Sequence, residues 1–369
     1  MKRVPLFEAV SDVSGGNRKI LQSDLLPEGP LAVVDQGRSQ IAGYTYDTSA
    51  SVKADGPVIV FGDHTRAIKF VDFPFAMGAD GVKVLQVREG FDPRFVYHYL
   101  NSRELPSAGY SRHFKFLKEI EVPWPRIEEQ RRIAAILDHA DALRAKRRQV
   151  LAHLDDLTQS IFRDMFGDAD DFPEQVPFSD VATLVGGRNL VADDSTAASE
   201  FRVLKISAVT TGRFRPGEAK ALPSGYVPPT EHLVRRGDLL MSRANTTDLV
   251  GAVALVDVDA TGLVLPDKVW RFVWRSSESE PIFIHALLSS PAMRRRISRL
   301  SSGTGGSMKN VSKAKLSRMP MPSVAPVRQR EFVDRVEAIF NVYRHQRQAM
   351  AGLDELFASL EASAFRGEL

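Results

Sequence analysis

Apolar residues recur at seven-residue intervals in two long stretches of this chain. The first stretch follows Pro123-Trp124-Pro125 and contains no further proline or glycine before Gly167. It carries two interleaved apolar rows: Ile133, Ala140, Leu154 and Ile161 in one, and Ile136, Leu143, Val150 and Leu157 in the other. Heptad spacing is typical of a helix that packs along another helix, and proline is tolerated just before a helix. The pattern therefore predicts a long helix over residues 126–166 that needs a partner.

The second stretch repeats the first one 199 positions later. Its matching apolar row is Phe332, Ile339, Leu353 and Leu360. A polar residue, Arg147 or Gln346, interrupts each row at the same place, and Gln329-Arg330 matches Gln130-Arg131. Such an internal repeat predicts a second long helix over residues 327–368, which supplies the partner. A polar residue in a seam either fixes the register of the pair or extends its head to water, and the sequence leaves both open.

Short β-type runs and a short helix fill the region before each long helix. Strands are expected at 31–34, 58–61, 82–85, 201–206, 238–242, 250–257 and 269–274, and helices at 92–101 and 281–290. The order is globule, helix, globule, helix, with predicted boundaries at 1–125, 126–168, 169–325 and 326–369. The edges of the globules match, as Pro5-Leu6-Phe7-Glu8 matches Pro177-Phe178-Ser179-Asp180, while their interiors diverge. Similar frames with different contents suit two readers of different targets.

The composition narrows the class of protein. Of the 369 residues, 43% are hydrophobic and 26% are charged, as in soluble globular proteins. The absence of cysteine excludes disulfides and cysteine-ligated zinc, and it fits a reducing cytoplasm, where we expect the protein to act. Neither a membrane span nor a signal peptide is expected. Because the formal net charge is only +3, local basic clusters indicate a polyanionic partner better than the total charge does.

Loops rich in arginine, lysine and amide side chains are the candidate DNA-contacting segments. Arginine and lysine neutralise phosphates, arginine reads guanine, and asparagine or glutamine reads adenine. In the first globule the candidates are Gln36, Arg38, Gln40, His64, Thr65, Arg66, Arg112 and Lys115. In the second globule they are Arg188, Asn189, Arg213, Arg215, Arg243, Asn245, Thr246, Lys309 and Lys313. Any one of them could equally belong to a solvated loop, and the duplicated layout is what favours DNA contact.

The densest basic run lies between residues 294 and 318 and encloses a glycine- and serine-rich segment at 301–307. This loop could follow a phosphate backbone, and the alternative is a solvated helix end. The chain has neither a Walker pattern nor a His-Glu-x-x-His zinc motif. Asp92-Pro93-Arg94-Phe95 departs from a methyltransferase tetrad at its third position. The sequence therefore predicts no catalytic residue, no metal site and no bound cofactor.

The ordered and duplicated motifs resemble those of the specificity subunit of type I restriction–modification systems. The resemblance is carried by the two Pro-x-Pro and Gln-Arg helix openings and by residues 62–66, 160–167, 237–243 and 364–369. It implies two target recognition domains, each reading one half of a split DNA site. It also implies that the two helices hold these domains apart and dock two methyltransferase subunits. Restriction subunits would complete the complex, with S-adenosylmethionine, ATP and magnesium bound only on the partners.

We therefore expect an α+β protein with two mixed α/β domains and two long helices forming an antiparallel coiled coil, with an internal pseudo-twofold repeat. The helices must run antiparallel if one chain is to place its globules at opposite ends. The expected function is non-catalytic: the chain binds a bipartite site on double-stranded DNA and positions it for a partner methyltransferase. Two alternatives remain open, a specificity subunit of another restriction–modification class and a coiled-coil adaptor whose globules bind proteins.

Overall fold

The computed structural model describes residues 1–106, 112–190, 200–303 and 309–369. They form two compact units, one comprising Met1–Arg148 with Gln348–Leu369 and the other comprising Gln149–Arg347. Each unit therefore contains one globule and a part of both long helices. In the described part of the chain, no helix is long and apolar enough to cross a membrane.

In its described residues, the first unit begins with ten strands and two short helices and continues into the first long helix. The strands are β1 (Arg3–Pro5), β2 (Val10–Asp12), β3 (Lys19–Ile20), β4 (Leu31–Val34), β5 (Gly43–Thr45), β6 (Val58–Gly62), β7 (Ile68–Val71), β8 (Phe75–Gly78), β9 (Val82–Val87) and β10 (Glu121–Pro123). The helices are α1 (Leu6–Ala9), α2 (Pro93–Asn101) and α3 (Ile127–Phe166).

Two four-stranded sheets organise the first unit. The order β2-β9-β6-β7 is antiparallel throughout, whereas in β3-β8-β4-β5 the strands β3 and β4 run parallel to β8. Strand β6 is buried at every position, which its branched and aromatic side chains favour. Helix α2 packs on β6 and β7, and Asp92 caps its start by accepting a hydrogen bond from the Phe95 N–H. Position 92 thus ends the strand region and begins the helix.

The second unit contains the remaining eleven described strands and the second long helix. The strands are β11 (Gln175–Pro177), β12 (Ala182–Gly186), β13 (Arg202–Leu204), β14 (Ala219–Ala221), β15 (Leu239–Ser242), β16 (Ala244–Asn245), β17 (Val253–Leu255), β18 (Leu263–Val264), β19 (Val269–Trp274), β20 (Lys309–Asn310) and β21 (Pro320–Pro322). The helices are α4 (Phe178–Val181), α5 (Pro281–Ser289), α6 (Pro291–Leu300), α7 (Lys313–Ser317) and α8 (Pro326–Arg366).

An antiparallel sheet of order β12-β19-β15-β17 forms the centre of the second unit, beside a smaller sheet of order β14-β13-β18. A cluster of aromatic rings joins the globule to the long helices. Phe162 of α3 lies 5.7 Å from both Phe283 of α5 and Phe332 of α8, measured between ring centroids. Such edge-to-face and tilted contacts stabilise a core beyond the area that they bury.

The two globules share one frame. Strand β1 pairs with β10, and β11 pairs with β21, so that each globule begins beside the strand that leads into its long helix. The next backbone contact is also the same, because the Leu6 N–H donates to the Ile120 oxygen and the Phe178 N–H donates to the Met319 oxygen. In each frame the following strand, β2 or β12, pairs with the strand before the globule's helix, β9 or β19.

Most of the predicted runs form the expected elements, and the differences have local causes. The strand expected over 250–257 is only Val253–Leu255, because the N–H groups of Leu249 and Val250 donate to the Thr246 oxygen and close a turn before it. The strand expected over 201–206 is Arg202–Leu204, and a 3₁₀ turn follows at Ile206–Ala208. Helix α6, which holds the predicted basic run, begins at a proline capped by Ser290 and was not predicted.

The long helices do not bury both of the predicted apolar rows. In α3, Leu143, Val150 and Leu157 are between 41% and 47% exposed, so the prediction that their row packs in the seam was wrong. The second buried row of α3 instead runs through Leu137, four residues after Ile133, and Arg144, seven residues after Leu137. Arg144 is only 18% exposed, because its guanidinium lies 4.2 Å from the Phe357 ring centroid and pairs with Asp354 at 2.7 Å. A long basic side chain can thus fill a seam position that counting apolar residues overlooks.

Candidate nucleic-acid interface

In the first unit, hydrogen bonds join two candidate segments, 36–40 and 112–115, to the candidate loop 63–66. Asp63 follows β6 directly and is 4% exposed. Its Oδ1 accepts a hydrogen bond from the Phe114 backbone N–H at 2.7 Å. Its backbone oxygen accepts from the backbone N–H and from Nδ1 of His113, both at 2.9 Å. Asp63 therefore ties the segment 112–115 to the loop 63–66.

The segment 36–40 joins the same place through Gln36. The Gln36 Oε1 accepts from the His64 backbone N–H at 3.2 Å, and the Thr65 hydroxyl donates to the Gln36 backbone oxygen. At the other end of the segment, Gln40 Nε2 donates to the Phe70 oxygen at 2.6 Å. The two glutamines and Thr65 therefore hold the loops in place, while Arg38 between them is exposed.

A buried lysine supports this loop from below. Lys69 is 4% exposed, and its Nζ donates to the Asp35 backbone oxygen at 2.8 Å. The Asp35 carboxylate in turn accepts from the Gly37 N–H at 2.8 Å. Burial lowers the pKa of Lys69, and the nearby Asp35 opposes that shift. Neither residue was among the predicted site residues, although a lysine inside an apolar strand is a signal that could have identified it.

The exposed arginines of the first unit surround a surface depression. Arg38, Thr65, Arg66 and Arg103 line it. Arg66 has a φ of 62°, in the left-handed region, and its Nη1 donates to the Leu105 oxygen at 2.9 Å. Arg112 and Lys115 are exposed on the segment that Asp63 anchors. Several guanidinium groups at one concave surface can contact phosphates or the edges of guanine.

In the second unit, the pairing of β16 with β20 brings distant candidates together. Asn245 lies opposite Lys309 in this pair. The Arg243 backbone oxygen accepts from the Val311 N–H at 3.0 Å, and its N–H donates to the Lys268 oxygen at 2.8 Å. The Asn245 amide is engaged on both sides, with Nδ2 donating to the Thr210 hydroxyl at 3.1 Å and Oδ1 accepting from the Thr246 N–H at 2.9 Å. Lys309 Nζ donates to the Gly303 oxygen at 3.0 Å.

Two of these cations share one aromatic ring. The Arg243 guanidinium and the Lys313 Nζ lie 5.9 and 5.7 Å from the Trp270 ring centroid. Both residues are exposed, whereas Trp270 is 3% exposed. The buried indole therefore favours two positive charges next to each other at the surface through cation–π attraction. This arrangement offers a phosphate group two cations at once.

Arg188 and Asn189 reach the surface through a close backbone crossing. A Cβ at position 187 would overlap the Leu265 backbone oxygen, so only glycine fits there. The crossing is held by the Gly187 N–H donating to the Pro266 oxygen at 3.0 Å and by the Asp267 N–H donating to the Arg188 oxygen at 3.1 Å. Arg188 and Asn189 are both exposed beyond it.

Arg213 does not join this group. Its guanidinium pairs with Asp155 of α3, lies 3.7 Å from the ring centroid of Tyr343 in α8, and is 21% exposed. Burial lowers the pKa of Arg213. The sequence predicted Arg213 as a DNA contact, but its guanidinium is already engaged by Asp155 and Tyr343 and is not free to contact DNA. Arg215, in contrast, is exposed.

The basic run on α6 also makes internal contacts rather than forming a solvated helix end. Arg296 donates to the Asp170 carboxylate at 2.7 Å and to the Ala169 oxygen at 3.2 Å, and Arg295 reaches Asp170 at 3.3 Å. The hydrogen bond from Arg296 lowers the pKa of Asp170. Residues 304–307 of the predicted phosphate-binding loop lie outside the described residues.

In residues 1–106, 112–190, 200–303 and 309–369, no group of His, Cys, Asp and Glu side chains is arranged to hold a metal ion. Asp63 lies in a predicted DNA-contacting segment but was not itself among the candidate residues. Its place after five buried strand residues is the signal that could have indicated an anchoring role.

Comparisons with known proteins agree with the sequence pattern. Residues 12–153 match the family model for the type I restriction modification DNA specificity domain. The chain is 30% identical over 174 residues to the type I restriction enzyme EcoKI specificity subunit of Escherichia coli strain K12, covering 45% of this chain and 37% of that subunit. It is 29% identical over 140 residues to the EcoEI specificity subunit of Escherichia coli, covering 38% of this chain and 24% of the relative. These matches thus span about a quarter to just over a third of the relatives' lengths.

A solved structure extends the likeness to nearly the whole chain. The S subunit of a type I restriction–modification system from M. genitalium superposes with a TM-score of 0.53, covering 99% of this chain and 96% of that one. The sequence identity is 13%, so this likeness concerns the fold alone. The mixed α+β fold of the present chain is therefore that of a known S subunit.

Proposed function

We propose that this chain, whose residues 12–153 match the type I restriction modification DNA specificity domain, is the sequence-specific DNA-binding subunit of a type I restriction–modification complex. In this proposal each globule reads one half of a bipartite site on double-stranded DNA. The long helices set the distance between the two readers and dock the methyltransferase subunits. The observation that carries the proposal is the presence, in both units, of exposed basic and amide side chains on loops anchored from below.

The anchoring supports sequence reading rather than loose electrostatic attachment. Phosphate contacts need only positive charge, but base readout needs side chains held at fixed positions. In the first unit, the segments that carry Arg38 and Arg112 are both hydrogen-bonded to the loop 63–66, which carries Arg66. In the second unit, Lys309 lies on β20, which pairs with β16, and Arg243 directly precedes β16. These loops are therefore suited to contacts with base edges.

The two frames support a bipartite site. Both globules share the β1–β10 or β11–β21 pairing and the helix that follows the β9 or β19 strand. They differ in the segments between these shared parts, and most of the candidate residues lie on loops in those segments. A chain with two such readers recognises two half-sites that differ in sequence.

We further propose that α3 and α8 pair as an antiparallel coiled coil with pseudo-twofold symmetry. In the first unit, the early residue Ile133 of α3 shares a core with the late residue Phe365 of α8. In the second unit, the late residue Phe162 of α3 contacts the early residue Phe332 of α8. Opposite ends of the two helices meet in both units, as antiparallel pairing requires.

Equivalent exposed rows on the helices support docking of two copies of a partner. Leu143 and Leu157 of α3 are 42% and 47% exposed, and their repeat equivalents in α8, Val342 and Leu356, are 46% and 53% exposed. Exposed apolar rows of this kind mark interaction surfaces. Because the rows are related by the internal repeat, the same partner subunit can bind each of them. The partner we propose is the methyltransferase subunit, with restriction subunits joining the complex.

In the proposed mechanism, the chain positions duplex DNA for a methyltransferase subunit and does not itself catalyse a reaction. A base inside a duplex must be flipped out to reach a methyltransferase active site, which requires the duplex to be held in register. The globules supply that register by binding the half-sites. We place S-adenosylmethionine, ATP and magnesium on the partner subunits and assign none of them to this chain.

Gel shifts test the proposal directly. Binding of the chain to its site, identified by methylome sequencing of the host, should strengthen with the methyltransferase partner and weaken steeply as salt rises. Arg38→Ala should weaken binding or relax specificity at one half-site, and Arg243→Ala should do so at the other, each by about 1–3 kcal/mol. Salt-independent binding, or loss of both half-sites in one variant, would contradict the two-reader proposal.

A further inference from the structure

A cavity of about 290 Å³ lies in the second unit. Its walls come from α5, α6, the loop at 210–213 and the two long helices. The charged and polar groups of the lining include Asp155, Thr211, Arg213, His285, Ser289 and Arg294. Its volume is at the lower end of the range for ligand-binding cavities, so it suits a small molecule or ion.

Arg294 is a cation without a counter-ion. Its Nη2 donates to the backbone oxygens of Asp248 and Val250 at 2.8 and 3.0 Å. Its Nη1 is buried and has no hydrogen-bond partner in the described chain. Among the described residues, no carboxylate lies within ion-pair distance of it, and Asp248 is exposed. A buried guanidinium with an unused donor is costly unless something else satisfies it.

Two other ionisable side chains of the lining leave no buried charge unpaired. Arg213 pairs with Asp155 and lies over Tyr343. His285 donates from Nε2 to the Gly212 oxygen at 3.0 Å, and burial lowers its pKa to about 4, so the ring is neutral near pH 7. Asp248 also lines the cavity but is exposed, so near neutral pH the buried charge without a partner is that of Arg294.

We propose that this cavity binds a small oxyanion, such as phosphate, through Arg294. A guanidinium suits oxyanions because its N–H groups point at two oxygens in one plane. The hydroxyls of Thr211 and Ser289 also line the cavity and make no hydrogen bond within the described chain, so they are available to the same ligand. The bound anion would tie α6 to α5 and to the loop at 210–213.

The equivalent cavity of the first unit has the opposite character. It is lined by Asp141, Arg144, Asp354 and Glu361, and Arg144 already contacts Asp141 and Asp354 at 3.0 and 2.7 Å. Burial raises the pKa of Glu361. With three carboxylates around one paired arginine, that cavity does not attract an anion. The anion site is therefore a property of the second unit.

Thermal unfolding of the full chain in inorganic phosphate, against sodium chloride of equal ionic strength, tests the proposal. A ligand that binds the native state raises the unfolding midpoint with its concentration. Arg294→Met should weaken the apparent phosphate affinity by about tenfold or more, because it removes a charge-assisted hydrogen bond to the phosphate. Arg299→Met is the matched control, since Arg299 is exposed on the same helix, and its response should equal that of the unaltered chain.

A second variant keeps the test decisive if Arg294→Met does not fold. Ser289→Ala removes a lining hydroxyl and keeps the charge, so it should weaken phosphate binding by a few-fold while the protein stays folded. Equal phosphate stabilisation in the unaltered chain and in both variants would overturn the proposal, as would stabilisation no greater than that by chloride. Duplex DNA without a recognition site should leave the effect intact. If such DNA abolished it, the oxyanion would be a DNA phosphate, and the proposal of a small ligand would fail.

Discussion

The two units differ least where each globule joins the long helices and most where it faces outward. In the first unit, Gln130 accepts from the Asp92 N–H at 2.8 Å and donates to the oxygens of Gly90 and Pro125. In the second unit, Gln329 accepts from the Glu280 N–H at 3.3 Å and donates to the Val324 oxygen. In both cases a glutamine near the start of the long helix fastens that helix to the start of the globule's helix. The junction is thus built by one repeated device, which explains the repeated Gln-Arg motif.

The loops follow no such rule. Gly62-Asp63 and Gly237-Asp238 look alike in sequence, yet Asp63 follows a strand and Asp238 precedes one. Asp63 accepts from the Phe114 N–H, which is distant in sequence, whereas Asp238 accepts from the nearby Arg235 N–H at 2.8 Å, and burial raises the pKa of Asp238. The two units therefore share the same frame of strands and helices, but each unit holds its recognition loops with its own contacts.

The largest expected effect comes from exchanging the second globule. Replacing residues 169–325 with the corresponding part of another member should change one half-site completely and leave the other intact, because the first unit anchors its own loops. Methylome sequencing of cells carrying the exchanged chain measures this. Altered sequence at both half-sites would mean that the loops are not independent.

The two junction glutamines should differ in their contribution to stability. Gln130→Met removes three hydrogen bonds at a position that is 0% exposed, leaving the Asp92 N–H and two oxygens unsatisfied. We expect a loss of about 2–3 kcal/mol in the free energy of unfolding, against about 1 kcal/mol for Gln329→Met at its partly exposed site. Urea unfolding measures both variants, and a larger effect at position 329 would contradict the comparison.

A pH dependence of stability is expected from the second unit. Tyr97 and His285 hold equivalent positions in α2 and α5, and burial raises the pKa of Tyr97 but lowers that of His285 from 6.5 to about 4. Between pH 4 and pH 6.5, the His285 ring binds a proton in the unfolded chain but not in the folded chain. The stability that neutral His285 contributes is therefore complete above pH 6.5 and is lost as the pH falls towards 4.

Unfolding experiments at several pH values measure this effect. Between pH 8 and pH 5, His285 should account for a loss of about 2 kcal/mol. His285→Gln keeps a donor for the Gly212 oxygen and should remove that part of the pH dependence, while Tyr97→Phe should leave it unchanged. An identical acid slope in the unaltered chain and in His285→Gln would show that the ring is protonated in the folded protein.

The sequence by itself determined the long helices, the main strands and the duplicated frame. These features depend on spacing within short windows: heptad rows, apolar runs and prolines before α3 and α8. Local rules of backbone geometry and burial act over the same distances, so Ile127–Phe166 and Pro326–Arg366 agree closely with the predicted 126–166 and 327–368. The candidate loops could also be selected from the sequence, because their arginine, lysine and amide side chains cluster within short segments.

Only the tertiary structure decided what each side chain does. Arg213 and Arg243 look equally suited to DNA in sequence, but Arg213 meets Asp155 and Tyr343 from the long helices, while Arg243 stays exposed beside Trp270. Similarly, the apolar row of Leu143 is exposed because the buried face of α3 turns towards Arg144 and its partners in α8. Burial and charge pairing depend on residues far apart in the chain, so their outcome is set when those residues meet in the fold.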